Sequence, residues 1–250
     1  FTPLSKEEKE KLAAFCELKL DNQHYYNETY DLTHRFPNSN ALEDYDEEFV
    51  WNHQMRTAFR QCGLQKWCCV LLQGLAEGES MPPPAGSADM NPATLGLVTK
   101  RSCLNVGARY ISRGLNELHA ASNEYECELL LWTKAQQGKY LHVKWSTYYW
   151  IRGTAPLNWG SQPRAGEAEV IIAPDPFDGV EDYYRRLQRR YAITTSVLCC
   201  SLLRRTPGHG ETKLGDTFEA SGHAVRQTVN IDLEVCHFDW HHKTKGGMWE

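Results

Sequence analysis

The sequence predicts an α/β protein: mixed β-sheets layered with helices, followed by the first part of a βαβ arrangement. Three observations lead there. Short apolar runs bounded by Gly and Pro recur between Trp67 and Ile172, as half-buried or buried strands require. Val180, Tyr184, Leu187 and Tyr191 recur at helical spacing, which gives residues 181–191 one apolar face. Beyond Gly179, strand-like and helix-like segments alternate, the signature of a parallel crossover.

The elements follow in order. Ser5-Lys6-Glu7-Glu8 has the capping-box pattern, so a helix starts at Lys6, with Leu12, Phe15 and Cys16 as its apolar stripe. Trp67 to Gly74 is an apolar run ending in glycine and reads as a buried strand. Glu79 to Pro92, with three consecutive prolines, reads as a loop insertion. Strands are expected at residues 95–100, 125–133, 145–152 and 168–172, then the helix at 181–191. A strand at 196–203, a turn at 207–210, a helix at 213–220 and a strand at 230–240 complete the pattern. The change of texture places a subdomain boundary near Pro176, dividing the chain into residues 1–176 and 177–250.

Composition narrows the function classes. Apolar residues make up 41% of the chain, enough to fold, and 250 residues can bury a sizeable core. A net charge of −5 gives no global attraction to nucleic acid, so any polyanion must be met by a local basic patch. No apolar run reaches the ~18 residues needed to span a bilayer. The nine cysteines include two adjacent pairs, Cys68-Cys69 and Cys199-Cys200. Adjacent strand residues point to opposite faces, so neither pair suits a disulfide, and a reducing, cytoplasmic setting fits.

Three segments concentrate charge beside glycine or apolar strand. They are Arg109-Tyr110-Ile111-Ser112-Arg113-Gly114, Asn123-Glu124-Tyr125-Glu126-Cys127-Glu128, and Arg152-Gly153-Thr154-Ala155-Pro156-Leu157-Asn158-Trp159. In this order they resemble the Sac-type phosphoinositide phosphatases, whose pattern runs R-Y/F-x-x-R-G, N-x-V-E-T-E, R-G-S-I/V-P-L/V-x-W. Tyr125 and Cys127 stand where that family has valine and threonine. Tyr30-Asp31-Leu32-Thr33, Phe49-Val50-Trp51-Asn52 and His237-Phe238-Asp239-Trp240-His241 are similar to its Y-D-L-T, F-x-W-N and F-D-F-H segments. Residues 126–132 and 173–191 look most like the large plant members. The resemblance implies an amino-terminal Sac subdomain over 1–176 and the start of the catalytic one over 177–250. It also implies hydrolysis of a phosphate monoester of phosphoinositide lipids through a cysteinyl-phosphate intermediate, with no metal or other cofactor. The family's Cys-x5-Arg-Thr/Ser loop follows the F-D-F-H strand, so the chain is expected to be an internal piece of the enzyme that lacks the nucleophile. The enzyme would sit at the cytosolic face of a membrane. The alternative is a catalytically silent Sac scaffold that binds lipid or protein.

Three further constellations invite chemistry. Cys199 to Thr206 spells Cys-x5-Arg-Thr, the spacing of a phosphate-ester nucleophile, but Ser-Leu-Leu between them continues an apolar strand where a phosphate cradle must curl. The segment is therefore read as core. His237, Asp239 and His241 would share one face of a continuous strand and could meet a metal ion; they are read instead as a polar strand end. Arg185, Arg186, Arg189 and Arg190 form a like-charge cluster that an anionic membrane surface would relieve. With Arg113 and Arg152 they are the candidate substrate or membrane contacts. The carboxylates 124, 126 and 128 are the expected structural partners of Arg113 and Arg152.

Overall fold

A computed structural model describes residues 5–17, 23–37, 45–83, 92–108, 111–137, 140–164, 168–193 and 196–244. By its contacts the chain divides into two compact units, Phe1–Lys100 with Cys127–Tyr149, and Arg101–Glu126 with Trp150–Glu250. The fold is α/β, with antiparallel and parallel sheets and interspersed helices.

The first unit opens with α1 (Lys6–Cys16), whose capping box forms as expected. The Ser5 N–H donates to Glu8 Oε2 at 2.8 Å and the Glu8 N–H donates to Ser5 Oγ at 3.2 Å. Among the described residues of its stripe, Leu12 and Cys16 are exposed; the Phe15 side chain lies outside the described residues. Strands β1 (His24–Tyr25), β2 (Leu72–Met81), β3 (Ala93–Arg101), β4 (Tyr125–Gln137) and β5 (Tyr140–Arg152) form one sheet in that spatial order. The β2–β3 ladder is antiparallel and runs from Gly74↔Lys100 to Met81↔Ala93. This shortens the expected loop insertion, and residues 84–91 of it lie outside the described residues. The expected buried strand at Trp67–Gly74 is displaced: Gln65–Trp67 is a short 3-10 turn and Trp67 is 73% exposed. Only from Val70 does the run enter the core, with Leu72, Phe49 and Val50.

Two of the segments quoted above explain themselves here. Asp31 Oδ1 accepts from the Thr33 N–H at 2.8 Å and its hydroxyl at 2.7 Å, while Oδ2 lies 2.6 Å from His34 Nδ1. Lys100 on β3 donates to the Thr33 carbonyl at 2.9 Å. A buried carboxylate and ammonium are thereby both satisfied around one turn. Asn52 bridges two backbone groups, donating to the Cys69 carbonyl and accepting from the Leu71 N–H, each at 3.0 Å.

The second unit holds the larger core. Helix α2 (His53–Gln61) belongs to the first unit; α3 (Val180–Tyr191) and α4 (Gly210–Val229) belong to the second. Strands β8 (Ser196–Ser201) and β9 (Asp232–His237) pair in parallel from Ser196↔Asp232 to Ser201↔His237, with α4 as the crossover. Val180, Tyr184, Leu187, Leu214, Phe218, Val225, Ile231 and Leu233 form the buried centre. The helix at 213–220 is longer than its apolar period suggests. His209 caps it by accepting the Glu211 N–H at 3.1 Å, and Asn230 ends it with φ +60°. Gly222, inside the longer helix, lets it approach β9: a Cβ there would stand 3.2 Å from the Leu233 carbonyl oxygen. A short antiparallel pair, β6 (Trp159–Gln162) with β7 (Glu169–Ile172), adds a strand the sequence reading omits. Gly160, Ser161 and Gln162 carry no strand signal.

Candidate functional site

The charged segments converge within the second unit on one hydrogen-bonded loop, residues 102–123, and the strand and helix beside it. The loop folds on its own amides. Asn105 donates to the Ala120 carbonyl at 2.7 Å, and Asn116 donates to the Leu104 carbonyl at 2.9 Å and accepts from the Ala120 N–H at 3.0 Å. Gly114 is required at its centre. Its φ is +64° and a Cβ would lie 2.5 Å from the Leu157 carbonyl oxygen, so the R-G pair sits where no side chain fits.

Asn123, at φ 50°, turns the chain out of the loop and sends Glu124 and Glu126 to one side. Both are buried. The Tyr183 hydroxyl donates to Glu124 Oε2 at 2.6 Å, and Arg186 reaches Glu124 Oε1 at 3.5 Å. The Tyr191 hydroxyl donates to Glu126 Oε2 at 2.6 Å. Helix α3 is thus held to this strand by phenol-to-carboxylate bonds, the one to Glu124 buried and the one to Glu126 partly so. Burial first, and the adjacent Glu124 carboxylate second, push the Tyr183 phenol well above its usual range, so it remains a donor.

The six candidate arginines separate. Arg185 is exposed but engaged, bonding Glu181 twice and donating to the Thr228 carbonyl at 2.8 Å. Arg186 turns inward, its side chain 21% exposed, with its guanidinium 5.4 Å from the centre of the Tyr183 ring. Arg189 is exposed and Arg190 is half-buried over the Tyr191 ring. Arg113 is half-buried over Trp159 at 5.5 Å, with Ser161 Oγ at 3.4 Å. Arg152 departs from the expected carboxylate pairing: it is exposed and lies over Tyr125 at 4.3 Å. Arg101, which the sequence reading did not single out, lies over the same ring at 5.7 Å and bonds Asn123. Two guanidiniums thus lie on one tyrosine, and their sequence signal was a lysine and an arginine closing an apolar strand. Arg109 lies outside the described residues.

Cys199 lies on β8, a hydrogen-bonded strand and not a curled loop. Burial pushes its thiol up to about 11, against a weaker opposing bond from the Tyr184 hydroxyl at 3.9 Å. A thiolate nucleophile requires the opposite shift. Arg205, six residues on, pairs with Asp216 at 2.7 Å. The same spacing separates Cys103 from Arg109, which is outside the described residues. His237, Asp239 and His241 do not share a strand face, because β9 ends at His237 and α5 (Trp240–Thr244) begins at once. Asp239 caps that helix, accepting from the His242 N–H at 2.8 Å and the Arg205 N–H at 2.9 Å, while His237 Nε2 lies 3.1 Å from Glu219. Among the described residues no three His, Cys, Asp or Glu side chains gather as a metal site, and no helix is long and apolar enough to cross a membrane.

Comparison with known proteins gives the family. The chain is 26% identical to the phosphoinositide phosphatase SAC2 of Arabidopsis thaliana, with 97% of this chain and 31% of that protein aligned. It is 24% identical to the phosphatidylinositol-3-phosphatase SAC1 of Saccharomyces cerevisiae, covering 93% and 37%, and 27% identical to a synaptojanin of Caenorhabditis elegans, covering 87% and 18%. The chain therefore spans about a third or less of the length of these relatives. The family model of the SacI homology domain matches residues 2–245, and the chain belongs to that family.

Proposed function

We infer that the chain is part of a phosphoinositide phosphatase that removes a phosphate monoester from phosphatidylinositol phosphates through a cysteinyl-phosphate intermediate, without a metal. The observation that carries this reading is the family match over residues 2–245, joined to relatives that are named as phosphoinositide phosphatases. The division near Pro176, between an amino-terminal Sac subdomain and the start of a catalytic one, is part of the same proposal. So is a location at the cytosolic face of a membrane. The role assigned to these 250 residues is scaffold and lipid contact. Arg152, with Arg101 on the same ring, and the outward Arg189 support headgroup contact best, since they are charged and near the surface. Arg186 serves Glu124 instead.

The nucleophile belongs in the Cys-x5-Arg loop that, by family resemblance, follows the segment 237–241. The test is turnover of a water-soluble, short-chain phosphoinositide by the parent protein and its Cys199→Ser variant. Turnover within about twofold of wild type is expected, because a strand-bound thiol held protonated cannot attack phosphorus. A loss of several orders of magnitude with unchanged melting would make Cys199 the nucleophile. A parent inactive on every phosphoinositide would favour the silent scaffold.

A further inference from the structure

Residues 129–149 contain no Asp or Glu. With 32 acidic residues in 250, a stretch of this length would be expected to carry about three. It carries Lys134, Lys139, Lys144 and His142 instead, together with Trp132, Tyr140, Trp145, Tyr148 and Tyr149. The stretch covers the outer part of β4 and most of β5, the last strand in the order of the five-stranded sheet. Strand alternation sends Val143, Trp145 and Tyr149 to one side and His142, Lys144 and Tyr148 to the other.

Every residue from 142 to 149 is exposed, including Val143 at 48% and Tyr148 at 67%. Phe36 extends the apolar side: it is itself exposed and meets Trp145 edge-on at 4.9 Å. The Arg35 guanidinium lies 4.0 Å from the centre of the Tyr149 ring. An exposed apolar and aromatic face with Arg35 against it, on a last strand whose other face carries Lys144 and beside β4 with exposed Lys134, on a chain of net charge −5, marks an interaction site. Its chemistry selects the partner. Trp and Tyr gain most where a wet layer meets an oily one. Lys and Arg beside them gain from anionic headgroups, and long lysine stems reach round an edge strand to do so.

We propose that the β5 side of the first unit docks on an anionic lipid bilayer. Val143, Trp145, Tyr149 and Phe36 enter the headgroup layer, and Lys134, Lys144 and Arg35 meet the lipid charge. The inference rests on the phosphatase reading and deepens it, because an enzyme of membrane lipids must be held at its substrate's surface, and Arg185 and Arg186 of α3 are engaged within the protein.

The test is co-sedimentation with vesicles of phosphatidylcholine alone and of phosphatidylcholine with about one-third phosphatidylserine, for the wild-type chain and two double variants. Wild type should bind the anionic vesicles preferentially and release with added salt. Lys134→Gln/Lys144→Gln should weaken partitioning about 25-fold, roughly fivefold per cation. Val143→Ser/Trp145→Ser should weaken it at least about tenfold. Should the second pair lose its fold, the lysine pair still decides. Wild-type binding by the folded variants would overturn the proposal. So would self-association through this face that the variants abolish while vesicle binding persists. Turnover by the parent separates the two readings: hydrolysis of a soluble short-chain phosphoinositide should be unaffected in both variants and hydrolysis on vesicles slowed. Absence of turnover on either substrate would remove the phosphatase reading and leave the vesicle result to stand alone.

Discussion

Replacing Tyr183 by Phe should destabilise the second unit by about 2–3 kcal/mol. The substitution keeps the ring, which is 6% exposed in the main core, and removes only the hydroxyl that donates to Glu124 at 2.6 Å. A hydrogen bond to a buried charged group contributes about 1.5–3 kcal/mol, because its loss exposes the carboxylate to a medium that solvates it poorly. The short distance and full burial place this bond near the top of that range. Arg186→Gln removes a partner of opposite charge but at 3.5 Å and with 21% of the side chain exposed, so screening reduces its cost to about 0.5–1 kcal/mol. The neutral phenol is therefore expected to outrank the ion pair. Urea unfolding followed by tryptophan fluorescence measures both, with the slope m unchanged if only native contacts differ. For a chain of this size about 2 kcal/mol corresponds to a melting shift of roughly 4–8 °C. The reasoning fails if Tyr183→Phe costs less than about 0.5 kcal/mol, or if Arg186→Gln proves the more damaging change.

Arg152→Ala should cost only about 0.5–1 kcal/mol, the range of an exposed cation–π contact, and should leave the protein soluble. A loss of about 3–5 kcal/mol in the same unfolding assay would restore a buried ion pair as its role. Cys199 carries a pH dependence of definite sign. Its folded thiol is raised from 9.0 to about 11, so the stability it contributes is complete below pH ~9 and fades as pH rises toward ~11. The gap corresponds to about 2–3 kcal/mol. The stability difference between wild type and Cys199→Ala, followed from about pH 8 to about pH 11, should shrink by that amount, and a difference flat in pH would show that the thiol is not desolvated.

Where a local rule and the tertiary structure agreed, the elements were legible in the sequence. The Ser5–Glu8 capping box, the apolar face of α3 and the βαβ order of residues 196–237 each need only neighbours in sequence or a single period. The failures share a different cause. Trp67–Gly74 is apolar enough for a strand, yet Gly63 at φ +70° and the 3-10 turn after it leave Trp67 outside. Leu12 and Cys16 show that an amphipathic pattern records what a helix offers, not what covers it. The helix expected over 213–220 runs on through Gly222, whose value lies in the approach of α4 to β9, which no local window contains.

The arginine cluster shows how a small error in a helical face propagates to function. Taking Val180, Tyr184, Leu187 and Tyr191 as the apolar stripe leaves Arg185, Arg186, Arg189 and Arg190 together on the outside. Tyr183 belongs to the core as well, at 6% exposed. At 100° per residue it widens the buried sector toward the side occupied by Arg186 and Arg190, which become rim residues, while Arg185 and Arg189 stay outward. Arg186 is thereby directed at Glu124, and the Tyr191 hydroxyl at Glu126. Tyr183, which the apolar stripe leaves out, is the donor for a buried carboxylate. The charge that remains available to an anionic partner is then set by pairing and not by count. An eleven-residue helix window with four arginines offers less of it than the stretch 129–149 of β4 and β5, which has exposed Lys134 and Lys144 and no carboxylate in its sequence.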